Sequence, residues 1–135
     1  MYNNILVPVS LDQERNTPRA LEAAKVLLSD GGTLTAVYVD EPIPTFATSY
    51  LPNGYEEERR LGLTEGLKEA VAHVPEITRE VLFGSPGQKI VEYARDNDID
   101  CIVVASHRPG LQDYFLGSTA ARVVRHAACS VHVVR

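Results

Sequence analysis

Short apolar runs alternate with helical stripes along this chain. Asn4 to Val9 (NILVPV) is a compact run of β-forming residues and predicts a buried strand. Thr17-Pro18 predicts a helix start, with threonine as the cap and proline at the first helical position. Ala20, Leu21, Ala24, Leu27 and Leu28 recur at the helical period, and Gly31-Gly32 predicts the end of that helix. Leu34 to Val39 (LTAVYV) reads as the second strand.

Residues 40–54 (DEPIPTFATSYLPNG) carry three prolines and few charges, and read as a long loop of the kind that serves as a lid or a contact. From Tyr55 the chain is highly charged. Leu63, Leu67, Ala70, Val71 and Val74 then form the stripe of an amphipathic helix, weakened by Gly62 and Gly66. Ile77 to Phe83 (ITREVLF) predicts a strand at a sheet edge. Gly84-Ser85-Pro86 predicts a turn into a helix capped by Ser85, with Ile90, Val91 and Ala94 on its apolar face. Asp100 to Ser106 (DCIVVAS) reads as a central strand. A last helix, roughly Ser118 to Ala127, is expected to bury Ala120, Ala121, Val124 and Ala127, and Ser130 to Val134 (SVHVV) to form the final strand.

Strands alternating with helices imply right-handed crossovers, and hence an α/β fold: an open five-stranded parallel sheet with helices on both faces, Rossmann-like. Ligands of such sheets sit beyond the carboxyl ends of the strands, where the strand order reverses. The 135 residues suit one domain, and neither a linker nor a repeat divides them.

Composition narrows the partners. The net charge of -5 argues against a broad nucleic-acid or anionic-membrane footprint, although a local basic cluster can still hold a small anion. Two cysteines, Cys101 and Cys129, are too few for a disulfide framework and point to a reducing compartment. MYNNILVPVS has neither a basic region nor a long apolar run, and no segment approaches the roughly 20 apolar residues of a membrane span. The expectation is a soluble cytoplasmic protein.

The stretch from Ala105 to Val124 (ASHRPGLQDYFLGSTAARVV) carries the candidate chemistry. It leaves a central strand and opens a helix, whose first-turn N–H groups and dipole suit an anion. Gly117 lets the backbone approach closely, Ser118 and Thr119 offer hydroxyls, and Arg108 offers a cation. The same residues also read as a plain helix cap. Neither GxxxxGK[ST] nor GxGxxG is present, so spacing alone leaves cradle and cap both open.

The run VVASHRPGLQDYFLGSTAARVVRHAACSVHVVR (Val103 to Arg135), together with ILVPVS and GSPGQKIVEYA (Gly84 to Ala94), closely resembles the universal stress protein family over the whole chain. The SHRP loop resembles the family's F/G-type branch. The resemblance implies a sheet order of 3-2-1-4-5. It also implies, for many members, ATP bound through a Gly-x2-Gly-x9-Gly-(Ser/Thr) loop. Here Ala105 and Arg108 stand at the first two glycine positions, eight residues separate Arg108 from Gly117, and Gly117-Ser118 matches. Ser10 stands where ATP-binding relatives carry an aspartate, and Asp12 follows two residues on. Carried over by position, the adenine lies between Pro8, Val9 and Ser10 on one side and Tyr38, Val39 and Asp40 on the other. The triphosphate runs to Ser106, Arg108, Gly117, Ser118 and Thr119, with His107 as a hydrogen-bonding contact. Mg²⁺ accompanies it, held mostly by phosphates and waters. The resemblance further implies a homodimer through antiparallel pairing of the last strand, which can double to a tetramer.

Other residues add little chemistry. His73, His107, His126 and His132 are scattered, with no spacing suited to a metal. Cys101 and Cys129 read as packed thiols, and Arg122 and Arg125 as solvated or helix-end cations. No residue looks like a tuned base, so turnover is expected to be slow ATP hydrolysis or self-phosphorylation at most. A nucleotide-free homodimeric interaction module is the alternative reading.

Overall fold

A computed structural model describes residues 1–11, 17–106 and 116–135. Among these the elements run β1 (Tyr2–Pro8), α1 (Thr17–Leu27), β2 (Leu28–Asp40), α2 (Thr45–Thr48), α3 (Tyr55–Ala70), β3 (Thr78–Phe83), α4 (Pro86–Asp96), β4 (Cys101–Ala105), α5 (Ser118–His126) and β5 (Ser130–Val134). The strands form one parallel sheet in the order β3-β2-β1-β4-β5. Class and order both agree with expectation, and the ITREVLF strand lies at an edge as its pattern predicts.

The alternation along β1 explains the layering. Side chains on a strand point to opposite faces in turn. Ile5 and Val7 enter one core, with Ala20, Leu21 and Ala24 of α1 and Leu67 of α3. Leu6 enters the other, with Ile90 and Ala94 of α4 and Ala120 and Val123 of α5. All three β1 residues are fully buried, as parallel strands covered on both faces must be.

Polar contacts fix the register at the opposite end of the sheet from the strand C-termini. The Asp100 carboxylate accepts the backbone N–H groups of Asn3 (2.9 Å) and Asn4 (3.0 Å), and the Asn4 side chain donates to the carbonyls of Asn97 and Asp98. These bonds seat the entry to β4 beside β1.

Four local expectations are corrected. Gly31-Gly32 does not end α1. Strand β2 already starts at Leu28, and the glycines lie in an irregular stretch where Tyr2 pairs with Leu28 but Asn4 with Thr33. Gly31 takes φ +78° there, a conformation that costs glycine little. On α5 the buried valine is Val123, whereas Val124 is 46% exposed, and Ala121 and Ala127 are half-buried. Val123 and Val124 are adjacent between Arg122 and Arg125, and the helical period allows only one of the two to face the sheet. Helix α3 ends at Ala70, so Val71 and Val74 reach the core from the turns after it. The 40–54 loop contains the single helical turn α2.

Cys101 lies inside the first core and Cys129 packs at the margin of the second, so the sheet separates them. Burial pushes the Cys101 thiol up to about 11 and raises that of Cys129 as well. A raised value keeps both sulfurs as unreactive thiols near neutrality. Iodoacetamide at pH 8 should modify half-buried Cys129 first. Cys101 should react only under denaturant or as the pH approaches 11, a sequence that mass spectrometry of timed samples checks. Faster modification of Cys101 in native protein contradicts this packing.

Candidate functional site

Where β1, β2 and β4 end, the helices of the two layers diverge and leave a cavity of about 220 Å³. This is the point at which connections from β1 and β4 leave to opposite faces, the position that favours ligands in open parallel sheets. Pro8, Val9 and Ser10 form one side, Tyr38 and Val39 another, and Ala105 and Thr119 close the end near α5. All seven were expected at the site from the sequence.

The remaining expected residues divide. Ser106 is 1% exposed and does not line the cavity. Its backbone is engaged instead: its N–H donates to the Val134 carbonyl (2.9 Å), and its carbonyl accepts the Gly117 N–H (2.6 Å). That close approach explains the glycine, since a Cβ on Gly117 would lie 2.7 Å from the Ser106 oxygen. Gly117 caps α5 with no side-chain hydrogen bond, and Ser118 lines a neighbouring cavity. His107 and Arg108 lie outside the described residues, as does Asp12.

Asp40 is not brought to the cavity. It is 6% exposed, and both its oxygens accept from Arg59 of α3: Oδ1 from Nη2 at 2.7 Å and Oδ2 from Nε at 3.0 Å. The two-point geometry suits the planar guanidinium and is among the stronger forms of ion pair. Asp40 raises the Arg59 pKa chiefly through this hydrogen bonding, and Tyr55 adds to the effect. Burial, then the Asp40 charge, raise the Tyr38 phenol, against a lowering by Arg59. Tyr38 therefore stays a neutral hydrogen-bond donor and acceptor at the cavity wall. The pair anchors α3 over the end of β2, a role the sequence did not reveal because Arg59 is one of several charges on α3.

Sequence reasoning also missed Thr17, Val37, Glu41, Pro86, Ile90 and Val104, which complete the cavity wall. Thr17, by its sequence a helix cap, also lines the cavity. In the fold its hydroxyl accepts the Ser10 N–H (3.2 Å) and ties the start of α1 to the end of β1. Pro86 and Ile90 arrive from α4, and only the three-dimensional crossing of layers brings them here. The arrangement offers a half-apolar slot with polar groups at one end, suited to a flat heterocycle bearing a polar tail. No cluster of three or more His, Cys, Asp or Glu side chains that could hold a metal exists among the described residues. Nor is any described helix long and apolar enough to cross a membrane.

Residues 1–135 match the model of the universal stress protein family. Universal stress protein G of Escherichia coli O157:H7 is 30% identical over 145 aligned positions covering all of both chains. Among solved structures, universal stress protein UspA from Lactobacillus plantarum is 27% identical and superposes with a TM-score of 0.70 over 99% of this chain and 98% of that one. A universal stress protein solved in complex with cAMP is 21% identical and shares the fold, with a TM-score of 0.71 over 99% and 97% of the two chains.

The anchor at Asp40 has a measurable cost when broken. Arg59→Ala leaves a buried carboxylate with its acceptors unfilled, and should lower unfolding stability by about 1–3 kcal/mol. Adding Asp40→Asn should return part of that loss. Urea midpoints of the two variants check this, and equal midpoints for wild type and Arg59→Ala count against the anchor.

Proposed function

This chain belongs to the universal stress protein family, and from that premise we propose that it binds ATP and acts as a nucleotide-dependent regulator of a stress response. The observation that carries the reading is the cavity beyond β1, β2 and β4, whose walls include Val9, Tyr38 and Val39. A family member of the same fold has been solved with cAMP, an adenine nucleotide. Adenine fits the apolar end between the β1 and β2 tips. The triphosphate then runs toward the start of α5, where Ser118 and Thr119 have hydroxyls without a hydrogen-bond partner among the described residues. Glu41 at the rim is a carboxylate able to join the water shell of Mg²⁺ carried by the phosphates.

A bound nucleotide acts as a signal only by favouring one state of the protein over another. The segment that follows Asp40 is placed to respond, since Glu41 lines the cavity and the chain then passes through α2 before reaching the Arg59 anchor. The proposed assembly is a homodimer through β5, whose outer edge has no strand partner among the described residues. An edge strand is a ready template for pairing with another chain. We place the protein in the cytoplasm and treat residues 1–135 as one domain.

Calorimetric titration with Mg-ATP tests the binding. Wild type should bind, and two variants should bind at least tenfold more weakly: Ala105→Leu, which fills the cavity end, and Gly117→Val, which collides with the Ser106 carbonyl. Absence of heat with wild type removes the ATP reading and leaves a homodimeric interaction module. Light scattering on the same sample should give twice the 14.8 kDa chain mass, and a mass of one chain contradicts the dimer.

A further inference from the structure

A second cavity, of about 400 Å³, lies between the first turn of α4 and the outer face of α5. Its charge is opposite to that of the chain as a whole, which is -5. Arg122, Arg125 and His126 line it, with Glu41 as the one carboxylate among its described lining residues. Arg122 and Arg125 are three residues apart on α5 and so share a face. Neither guanidinium has a hydrogen bond or ion pair among the described residues. By contrast, Arg19, Arg59 and Arg95 each hold an oxygen acceptor, and Arg60 stacks on the Phe83 ring.

Arg122 is also seated rather than loose. A Cβ built on Gly87 would lie 2.6 Å from the Arg122 Cδ and 3.0 Å from its Cβ and Cγ. Gly87 has no positive φ to account for the glycine. The missing side chain makes room for the arginine stem, which crosses the first turn of α4 and brings the guanidinium to the cavity wall.

We infer that this basin is an anion site for the oxyanions of a phosphoanhydride chain. An arginine fork pairs with phosphate oxygens in two-point geometry, and two forks on one face match neighbouring phosphates. The amides opening α4 and α5 lack a side-chain cap and add donors beside the arginines. A short basin suits a compact, multiply charged oxyanion better than an extended acidic peptide. Thr119, Pro86 and Glu41 line both cavities, so the basin adjoins the cleft. The chain is either free inorganic polyphosphate or the end of a nucleotide phosphate chain longer than ATP's. The basin shares Ser118, Thr119 and the α5 amides with the proposed triphosphate path, and Arg122 and Arg125 are the residues it adds.

The probe is sodium tripolyphosphate, titrated into wild type, the Arg122→Ala/Arg125→Ala double variant and Gly87→Ala. Wild type should bind it. The double variant should bind at least tenfold more weakly, and Gly87→Ala severalfold more weakly although every charge is retained. Melting curves near that of wild type are expected for the exposed arginine changes. Absent binding to wild type, or unchanged affinity in the double variant, overturns the assignment. Arginine-dependent tripolyphosphate binding without Mg-ATP binding keeps the basin and removes the ATP reading. A preference for adenosine 5′-tetraphosphate over ATP that the double variant loses identifies the source as a nucleotide tail. Equal affinity for the two nucleotides, with arginine-dependent tripolyphosphate binding, identifies free polyphosphate.

Discussion

The structure depends on one strand being apolar on both faces. Strand β1 pairs in parallel with β2 on one side and β4 on the other, so every backbone group of its middle is used within the sheet. Its side chains then have no outlet to water: Ile5 and Val7 must be covered from one layer and Leu6 from the other. Burying apolar side chains of this size contributes about 1.5–3 kcal/mol each. A central strand covered on one face only would forfeit part of that. Helices on both faces follow, and with them the right-handed crossovers that send successive connections to opposite sides. The gap beyond the β1 and β4 tips is a geometric by-product of that divergence, and the binding slot sits in it.

Much of the architecture was legible because burial leaves a periodic mark. NILVPV and CIVVA are near-continuous apolar runs, and both proved to be interior strands. What the pattern could not resolve was local. Gly31-Gly32 carries the same letters whether it stops a helix or eases an irregular strand pairing, and only the Asn4–Thr33 register distinguishes them. Val123 and Val124 are equally apolar, so choosing the buried one needs the rotation of α5 against α4, a property of packing rather than of the segment. Val71 and Val74 sit at helical spacing but past the helix end, because turns can present the same face as a helix over a few residues.

The site was legible in its strand-borne part and obscure in its helix-borne part. Pro8, Val9, Ser10, Tyr38, Val39 and Ala105 follow the strand tips, so their place was set once the strand order was known. Thr17, Pro86 and Ile90 come from helices in opposite layers, and no sequence spacing links them. Asp40 shows a different limit. Its position at the end of β2 was right, but the carboxylate is consumed by Arg59 across nineteen residues of chain. Ser106 is likewise in the right place and turned to backbone duty. Residue type and position name a candidate, and the free valence of its polar atoms decides whether it can serve.

The two-point pairing of Asp40 with Arg59 bears on how such a chain can vary. It closes a ring: β2 leaves the sheet at Asp40, the backbone wanders through residues 41–54, and the first turns of α3 return it to the same carboxylate. The wandering part is therefore a bracketed insert whose ends are held by the scaffold. Lengthening a closed loop adds only about 0.6 kcal/mol per doubling. Beyond Glu41, which lines the cavities, residues inside the bracket such as the outward-facing Phe46 and Tyr50 can be rewritten by selection while the sheet beneath keeps its shape.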